Sequence, residues 1–509
     1  MSNILSTGLE LLTQRIAIAD PISVALQDTA PVAVVWMAIP FFVGFSGYLL
    51  PKFHRYLALG IALISLVYGL QQLWAPAPLT VQLLDRFGVT LFIDSLSGYF
   101  IVTNALVTAA VVLYCWQTGK SAFFYTQMII LHGSLNAVFI CADFISLYVA
   151  LEVIGIAAFL LIAYPRTNRS IWVALRYLFV SNTAMLFYLI GALLVYQSSH
   201  TFAFTGLQDA PTEAIALVML GLLTKGGIFV SGLWLPLTHS EAETPVSALL
   251  SGVVVKAGVF PLVRCALMME DMGPLLGIFG VGTAMLGVAY AVVETDTKRL
   301  LALSTISQLG FVLAAPAVAG FYALTHGLAK TTLFLISGNL PSRSFQTLRQ
   351  TPLYAPLWTA LAIACLSVAG FPLLAGFGAK VLTLKALEPW QAIALNLVAV
   401  GTAIALSKFL FLPVATQSKD AAPHAMHQSF WWAMVLLLGS LVVANGLHLE
   451  VYTVTEMAKA LLILGAGCLV HLVLVQRLAL KLPRMFERLE HLIGMMSLTL
   501  TALFWMVLT

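Results

Sequence analysis

Apolar runs of about 17–25 residues recur sixteen times along this chain, from 31–50 to 493–508, and this leaves few folds open to it. A run of that length carries a helix across a hydrocarbon core roughly 30 Å thick. In lipid each backbone N–H and C=O must be paired inside such a segment, which selects helices. The composition agrees: 61% of residues are hydrophobic and 9% charged, against about 25% charged in a soluble globular chain. The expectation is an all-α polytopic membrane protein with no soluble domain. A net charge of +4 over 509 residues gives no case for nucleic-acid binding.

The connections support that count. Positive residues fall on alternate loops: Lys52 and Arg55, Lys120, Arg166 and Arg169, Lys298 and Arg299, Arg343 and Arg349, Lys419, then Arg477, Lys481, Arg484 and Arg488. The other loops hold little beyond Arg86 and Lys385, and several are acidic, with Asp209, Glu213, Glu270 and Asp271. By the positive-inside rule both termini are expected on the non-cytoplasmic side. The N-terminus has no early basic region and reads as no signal peptide. Leu5, Leu9, Leu12 and Ile16 recur at helical spacing, so residues 1–30 are expected to form an interfacial amphipathic segment. The five cysteines are scattered singly with no CxxC pair, which reads as apolar filling rather than an iron–sulfur or disulfide frame. No flavin or dinucleotide motif and no metal-ligand spacing is present; His424 and His427 have no third ligand nearby. No cofactor and no metal are expected.

Ionisable residues inside the spans carry the functional argument. Lys225 sits in LVMLGLLTKGGIFVSGLWLP and Lys256 in PVSALLSGVVVKAGVFPLVR. A charge at mid-bilayer costs about 2.5–3.5 kcal/mol on insertion scales, so two in neighbouring spans are poor filler. Glu152 lies about ten residues into its own span. Two unit charges 4 Å apart attract by about 4 kcal/mol at an effective dielectric near 20, which would offset much of one insertion cost, and Lys225 is the candidate partner. Such a pair is either a static tie between helices or a switch opened by moving a proton. Lys225 precedes Gly226 and Gly227, and Lys380 follows Gly370, Pro372, Gly376 and Gly378. Interrupted helices of this kind are tolerated at membrane depth where they line a polar cavity, and their recurrence points to repeats with a site at each break. The offsets agree: Lys225 to Lys380 is 155 positions and Lys256 to Lys408 is 152. His326 and Lys330, four apart, share a helix face, and histidine titrates near neutral pH, so the pair suits proton hopping. Asp143, His239, Glu241, Glu243 and Glu270 lie near span ends, where solvated rim residues are the default and an inlet is the alternative. His132 and Arg176 are further members.

IDSLSGYF, DFISLYVALEV, LTKGGIFVSGLWLP, PVSALLSGVVVKAGVFPLVR, DTKRLLALSTISQLGFVL, THGLAKTTLFL and AGFPLLAGFGAK occur in the order of motifs in the proton-translocating antiporter-like superfamily, which the chain resembles over about 90–450. That superfamily holds the D subunit of Mrp-type multisubunit cation/proton antiporters, the nearest in phrasing, and the large membrane-arm subunits of complex I. The resemblance implies about fourteen core helices with two inverted five-helix repeats and discontinuous helices, here followed by about two C-terminal helices. It implies a Glu–Lys pair at Glu152 and Lys225, a central Lys256, a His326–Lys330 relay and Lys380 on the second broken helix. The segment WLPLTHSEAET lacks the aspartate that relatives carry after WLP, and FPLL replaces a double proline.

The domain reading is 1–30 interfacial, 31–141 N-terminal helices, 123–268 first antiporter-like repeat, 274–413 second repeat and 431–509 C-terminal helices. The expected function is proton translocation coupled to Na⁺ or another monovalent cation, along Glu152, Lys225, Lys256, His326, Lys330 and Lys380, with Lys408, Asp143, His239 and Glu241 as additional candidates. The expected partners are other membrane subunits and the lipid bilayer, in a bacterial inner membrane or a thylakoid. A complex I-like quinone reductase subunit, and a scaffold with structural charges only, are the competing readings.

Overall fold

The structure, a computed structural model, describes residues 30–84, 88–269, 272–415, 426–475, 482 and 485–508. The N-terminal amphipathic segment, Arg86, Glu270, Asp271, Lys419, His424, Arg477, Lys481 and Arg484 lie outside the described residues. All sixteen apolar stretches carry helix, so the chain is an all-α polytopic membrane protein. The helices are α1 (Ala30–Leu49), α2 (His54–Leu73), α3 (Ser95–Cys115), α4 (Ala122–Val138), α5 (Phe144–Ile162), α6 (Asn168–Ser199), α7 (Thr212–Lys225), α8 (Leu235–Glu241), α9 (Thr244–Leu249) and α10 (Lys256–Met268). They continue as α11 (Met272–Val293), α12 (Thr297–Ala314), α13 (Ala319–Ser337), α14 (Phe345–Leu348), α15 (Ala355–Ala369), α16 (Ala375–Lys385), α17 (Pro389–Leu410), α18 (Gln428–Asn445), α19 (Val454–Val470) and α20 (Leu489–Leu508).

Among the described residues eleven helical stretches are long and apolar enough to cross a bilayer by themselves, and a twelfth is counted if α12 and α13, bent by 107°, form one span. The sixteen expected from sequence exceed this because α4, α15 and α20 are short or interrupted and α12 is polar. Helices packed among other helices meet protein rather than lipid, so neither full length nor full apolarity is required of them. The order of sides is nonetheless kept. Connections expected on one side meet each other: Phe92 N–H donates to Ile140 O at 2.8 Å and Phe204 N–H to Ala142 O at 2.9 Å. Those expected on the opposite side do the same, through Thr297 N–H to Arg343 O at 2.8 Å and Leu353 N–H to Pro413 O at 2.8 Å.

The polar stretch 75–96, too short for a folded unit of its own, holds two antiparallel strands, β1 (Leu79–Leu84) and β2 (Gly88–Ile93), in register from Leu79 opposite Ile93 to Leu84 opposite Gly88. β-Branched residues at Thr80, Val81, Val89 and Thr90 suit a pleated pair. The hairpin is locked to the start of α5 by Asp143, whose carboxylate accepts from Ser146 N–H at 2.7 Å and from Thr90 N–H at 2.9 Å.

Both expected interruptions are present. After α7 the chain turns through Gly227 at φ +69° into a tight turn, Phe229–Trp234, before α8. Between α15 and α16 it turns through Gly370 at φ +88°. The positive φ favours glycine at both places. The continuous stretch Thr244–Met268 is buried from Pro245 to Cys265 and contains one wide turn, Leu250–Val254, just before Lys256. Beyond the core, α19 packs on α17, while α20 packs on α7 and the turn that follows it.

The α7–α10 crossing is close enough to be tested. A Cβ at Gly258 would lie 2.2 Å from Gly226 N, which is backbone and cannot rotate away, whereas one at Gly494 meets nothing within 4 Å. Gly258→Ala is expected to destabilise the protein by about 1–3 kcal/mol, as overpacking does, and Gly494→Ala to leave it unchanged. Thermal unfolding in detergent, followed by fluorescence-detected size exclusion, checks both.

Candidate functional site: a row of buried lysines

Lys225 ends α7 at the first helix break. Its Nζ donates to Ser181 Oγ of α6 at 2.6 Å and lies against Gly155 of α5, where an added Cβ would be 3.2 Å away. Glu152 is one turn from Gly155 on the same helix. It interacts electrostatically with Lys225, but no contact within 4.0 Å joins them, and its Oε1 is buried without a hydrogen-bond partner. The hydroxyl of Tyr177, which also interacts with Glu152, is buried and unpartnered. The structure therefore holds the pair open, with a serine in the carboxylate's place.

Lys256 is fully buried, and its Nζ donates back into the wide turn, to Gly252 O and, at 3.3 Å, to Ser251 O. Widened turns of this kind are frequent at functional sites. The amine also faces α13: a Cβ on Gly327 would lie 3.5 Å from it. The next residue back, His326, interacts electrostatically with both Lys256 and Lys330, and its two ring nitrogens are buried without a partner. Lys330, also fully buried, donates to Ser304 Oγ at 2.7 Å and Leu301 O at 3.1 Å of α12.

A cavity of about 10 Å³ beside His326 is lined by Gln308, Tyr322, Ser367 and Gly376. That volume is about what one water needs. Tyr322 donates to Gln308 Oε1 at 2.7 Å, so the lining is polar and ordered. It leads from α13 to the second break, where Lys380 Nζ donates to Ala369 O at 3.0 Å and stands 5.5 Å from the centre of the Phe311 ring. The carbonyl is available because α15 ends there, and the ring contact is a cation–π interaction. Of the six residues expected to form the relay, the structure brings Glu152 near Lys225 and His326 near Lys256 and Lys330, while Lys380 stands at the second break.

The additional candidates are placed differently. Lys408 caps α11, donating to Glu294 O at 2.7 Å and Ala291 O at 3.5 Å, away from the row. Asp143 serves as N-cap and hairpin clamp. Glu241 pairs with Arg169 at 3.4 Å and Glu243 with Lys120 at 2.6 Å, so both are rim residues. His239 is not at a solvated rim: it is fully buried, stacked on Phe334 with ring centres 4.9 Å apart, and both ring nitrogens lack partners. His132 belongs to a satisfied network in the N-terminal helices, with Nε2 to Ser65 Oγ at 2.9 Å and Nδ1 to Thr108 Oγ1 at 3.0 Å. Arg176 reaches the backbone carbonyl of Glu487. Sequence reasoning missed Ser181, Ser304, Gln308 and Tyr322, which are neutral residues with no anomaly of composition to mark them. Among the described residues no group of three or more His, Cys, Asp or Glu side chains could hold a metal ion.

Interrupted helices with a lysine at each break, joined by further buried amines, define a class of ion-translocating membrane proteins. Residues 141–406, just over half of the chain, match the family described as NADH:quinone oxidoreductase/Mrp antiporter, transmembrane, and the chain belongs to that family. Among curated relatives, NAD(P)H-quinone oxidoreductase chain 4-2 of Synechocystis sp. is 30% identical over 317 residues, covering 56% of this chain and 57% of that one. NADH-quinone oxidoreductase subunit N of Desulforudis audaxviator is 28% identical over 413 residues, covering 69% and 79%. The chain spans about half the length of several of the curated relatives it matches. In fold it is similar to a chain of the Mrp complex from Dietzia sp. (TM-score 0.76, 22% identity, 92% of this chain and 59% of that one). It is likewise similar to a chain of the membrane-bound sulfane sulfur reductase, an archaeal respiratory membrane complex (TM-score 0.75, 19% identity, 85% and 97%).

Ser181 is the acceptor that keeps Lys225 off Glu152. In Ser181→Ala the ammonium loses a charge-assisted bond worth about 1.5–3 kcal/mol and is expected to move within 4.0 Å of the carboxylate. A structure of the variant with Nζ still against Gly155 would refute this.

Proposed function

We infer that this chain translocates protons as one membrane subunit of a multisubunit cation/proton antiporter, with Na⁺ or another monovalent cation as the coupled ion. The observation that carries the reading is the open Glu152–Lys225 pair at the head of a row of buried amines. With Lys225 on Ser181, Glu152 has no counter-ion; with Lys225 swung across Gly155, the two charges neutralise each other. Moving between these states changes the field at Lys256 and so biases proton transfer along Lys256, His326, Lys330 and Lys380. The acceptors along the row are carbonyls and hydroxyls. They hold an ammonium by charge-assisted N–H donation and can still accept from the neutral amine, so losing a proton strands no buried anion. One proton crossing 100 mV involves about 2.3 kcal/mol, comparable to making or breaking one partly solvated ion pair.

The antiporter reading is supported by the phrasing of the motifs and by the fold match to a chain of an Mrp complex along nearly the whole sequence. A second reading has its own support: the curated relatives bear the names of quinone oxidoreductase chains. In that case the same row would be driven by redox chemistry in other subunits. Both neighbours in fold belong to membrane complexes, which supports partner subunits in either case. The alternation of positive loops supports non-cytoplasmic termini.

Glu152→Gln and Lys225→Ala, each in the assembled complex in membrane vesicles, are expected to lower proton flux at least tenfold, the change made by about 1.4 kcal/mol. Near-normal flux in both variants would end the relay. Partners that co-purify separate the two assemblies: small membrane subunits alone fit an antiporter, and hydrophilic iron–sulfur subunits fit a quinone reductase.

A further inference from the structure

Lys380 ends the row of amines and borders a second cavity, of about 30 Å³, on the side away from His326. Its walls include Ala369 and Gly370 at the helix break, Lys380 itself, Ala399 of α17, and Glu456 and Lys459 from the first turns of α19. At roughly 10–15 Å³ for one water, it has room for two. Gly370 keeps the inner end open, because a Cβ there would come 2.9 Å from Lys380 Cδ. The amine is held at the wall by the Ala369 carbonyl. At the outer end Glu456 is half-buried and Lys459 is exposed. Among the described residues the Glu456 carboxylate has no hydrogen bond or ion pair; only its backbone N–H is engaged, with Thr453 Oγ1 at 3.3 Å. Phe377, Val381 and Val451, with Tyr452 and Met457, form an apolar cluster on α16 and around the start of α19.

We propose that the cavity between α16, α17 and α19 is the port through which the Lys380 ammonium exchanges its proton with bulk water, with Glu456 as the relay group at its mouth. An N–H bond of the ammonium breaks and an O–H bond forms on a cavity water. That water passes a proton to the Glu456 carboxylate, which releases it to solvent, leaving a neutral amine to be recharged along the row. Lys459, one turn further on, keeps the mouth hydrated and offsets the carboxylate's charge. This gives α19, which lies beyond the fourteen-helix core, a direct part in transport. The charge alternation puts the start of α19 and the end of α16 on the same, non-cytoplasmic side, so the port opens there. The assignment rests on the proton-relay reading of the row.

Two readouts in the assembled complex keep the port and the relay apart. The first does not need transport. In a background with the five cysteines replaced, Lys380→Cys is exposed to Ag⁺, an ion near the size of water, on the non-cytoplasmic face of vesicles, and free thiol is then counted by maleimide labelling after denaturation. Ag⁺ is expected to protect the thiol, and Glu456→Trp, which fills the mouth, to slow protection at least tenfold. The second is proton flux: Glu456→Gln is expected to lower it at least tenfold and Glu456→Asp to restore most of it, with the variants at wild-type abundance in the membrane. Wild-type flux in Glu456→Gln together with unchanged Ag⁺ protection in Glu456→Trp overturns the port, even where Lys225→Ala abolishes transport. Normal flux in Glu152→Gln and Lys225→Ala overturns the relay instead, and the Ag⁺ result then decides the port by itself.

Discussion

An ammonium halfway through a bilayer must find oxygen, and this constraint shapes the whole chain. A continuous helix offers none, since its carbonyls are committed to its own N–H groups four residues on. The chain solves the problem at three places by disturbing a helix. α15 ends at Gly370 and leaves the Ala369 carbonyl for Lys380. The wide turn before α10 leaves the Gly252 and Ser251 carbonyls for Lys256. α7 ends at Lys225 itself, so that the amine reaches sideways to Ser181. Where the helix stays regular, as around Lys330, a neighbouring helix supplies a serine hydroxyl and a carbonyl instead.

Disturbed helices are weak helices, and the surrounding packing has to hold them. The α7–α10 contact brings Gly226 and Gly258 backbone to backbone. Away from the midplane, ion pairs fasten the helices that flank the row. Arg264 of α10 grips Asp94 through two bonds of 2.5 and 2.8 Å between the rings of Phe92 and Phe260. Arg299 of α12 is shared between Glu294 at 3.0 Å and Glu487 at 2.5 Å, all three buried. Glu487 also takes Arg176 of α6 on its carbonyl, so the segment leading into α20 joins α6 to α12.

What could be read from the sequence, and what could not, follows from how anomalous each residue is. A lysine or glutamate in an apolar run stands out because its insertion cost is large, and Glu152, Lys225, Lys256, Lys330 and Lys380 could be singled out on that ground alone. The breaks were legible because Gly226, Gly227 and Gly370 are poor in helix interiors. Each apolar stretch carries helix, but sixteen spans were too many, because several helices are too short or too polar to cross by themselves. Ser181 and Ser304 were invisible because a hydroxyl in a helix usually bonds its own backbone, and only the packing shows otherwise. Lys408 carried the same sequence signal as Lys256, yet it caps the carbonyls of α11. Depth along a span cannot tell a midplane amine from one at a helix end. The hairpin was missed because its flanking membrane spans dominate the pattern, and His239 because a polar neighbourhood in sequence says nothing of the ring stacked on Phe334.

The contrast between the two kinds of charged site bears on whether the row is structural. Several charges that tie helices together have a carboxylate opposite them: Asp94 with Arg264, Glu294 and Glu487 with Arg299, Glu243 with Lys120. Lys256, Lys330 and Lys380 instead have only neutral oxygens within hydrogen-bond reach. The one carboxylate near the row, Glu152, stands off from Lys225 with an oxygen unsatisfied. A buried ion pair resists a change of protonation, because removing one charge strands the other. A buried amine on a carbonyl or hydroxyl does not. On the proposed reading, leaving these four amines on neutral oxygens is what would let them gain and lose a proton.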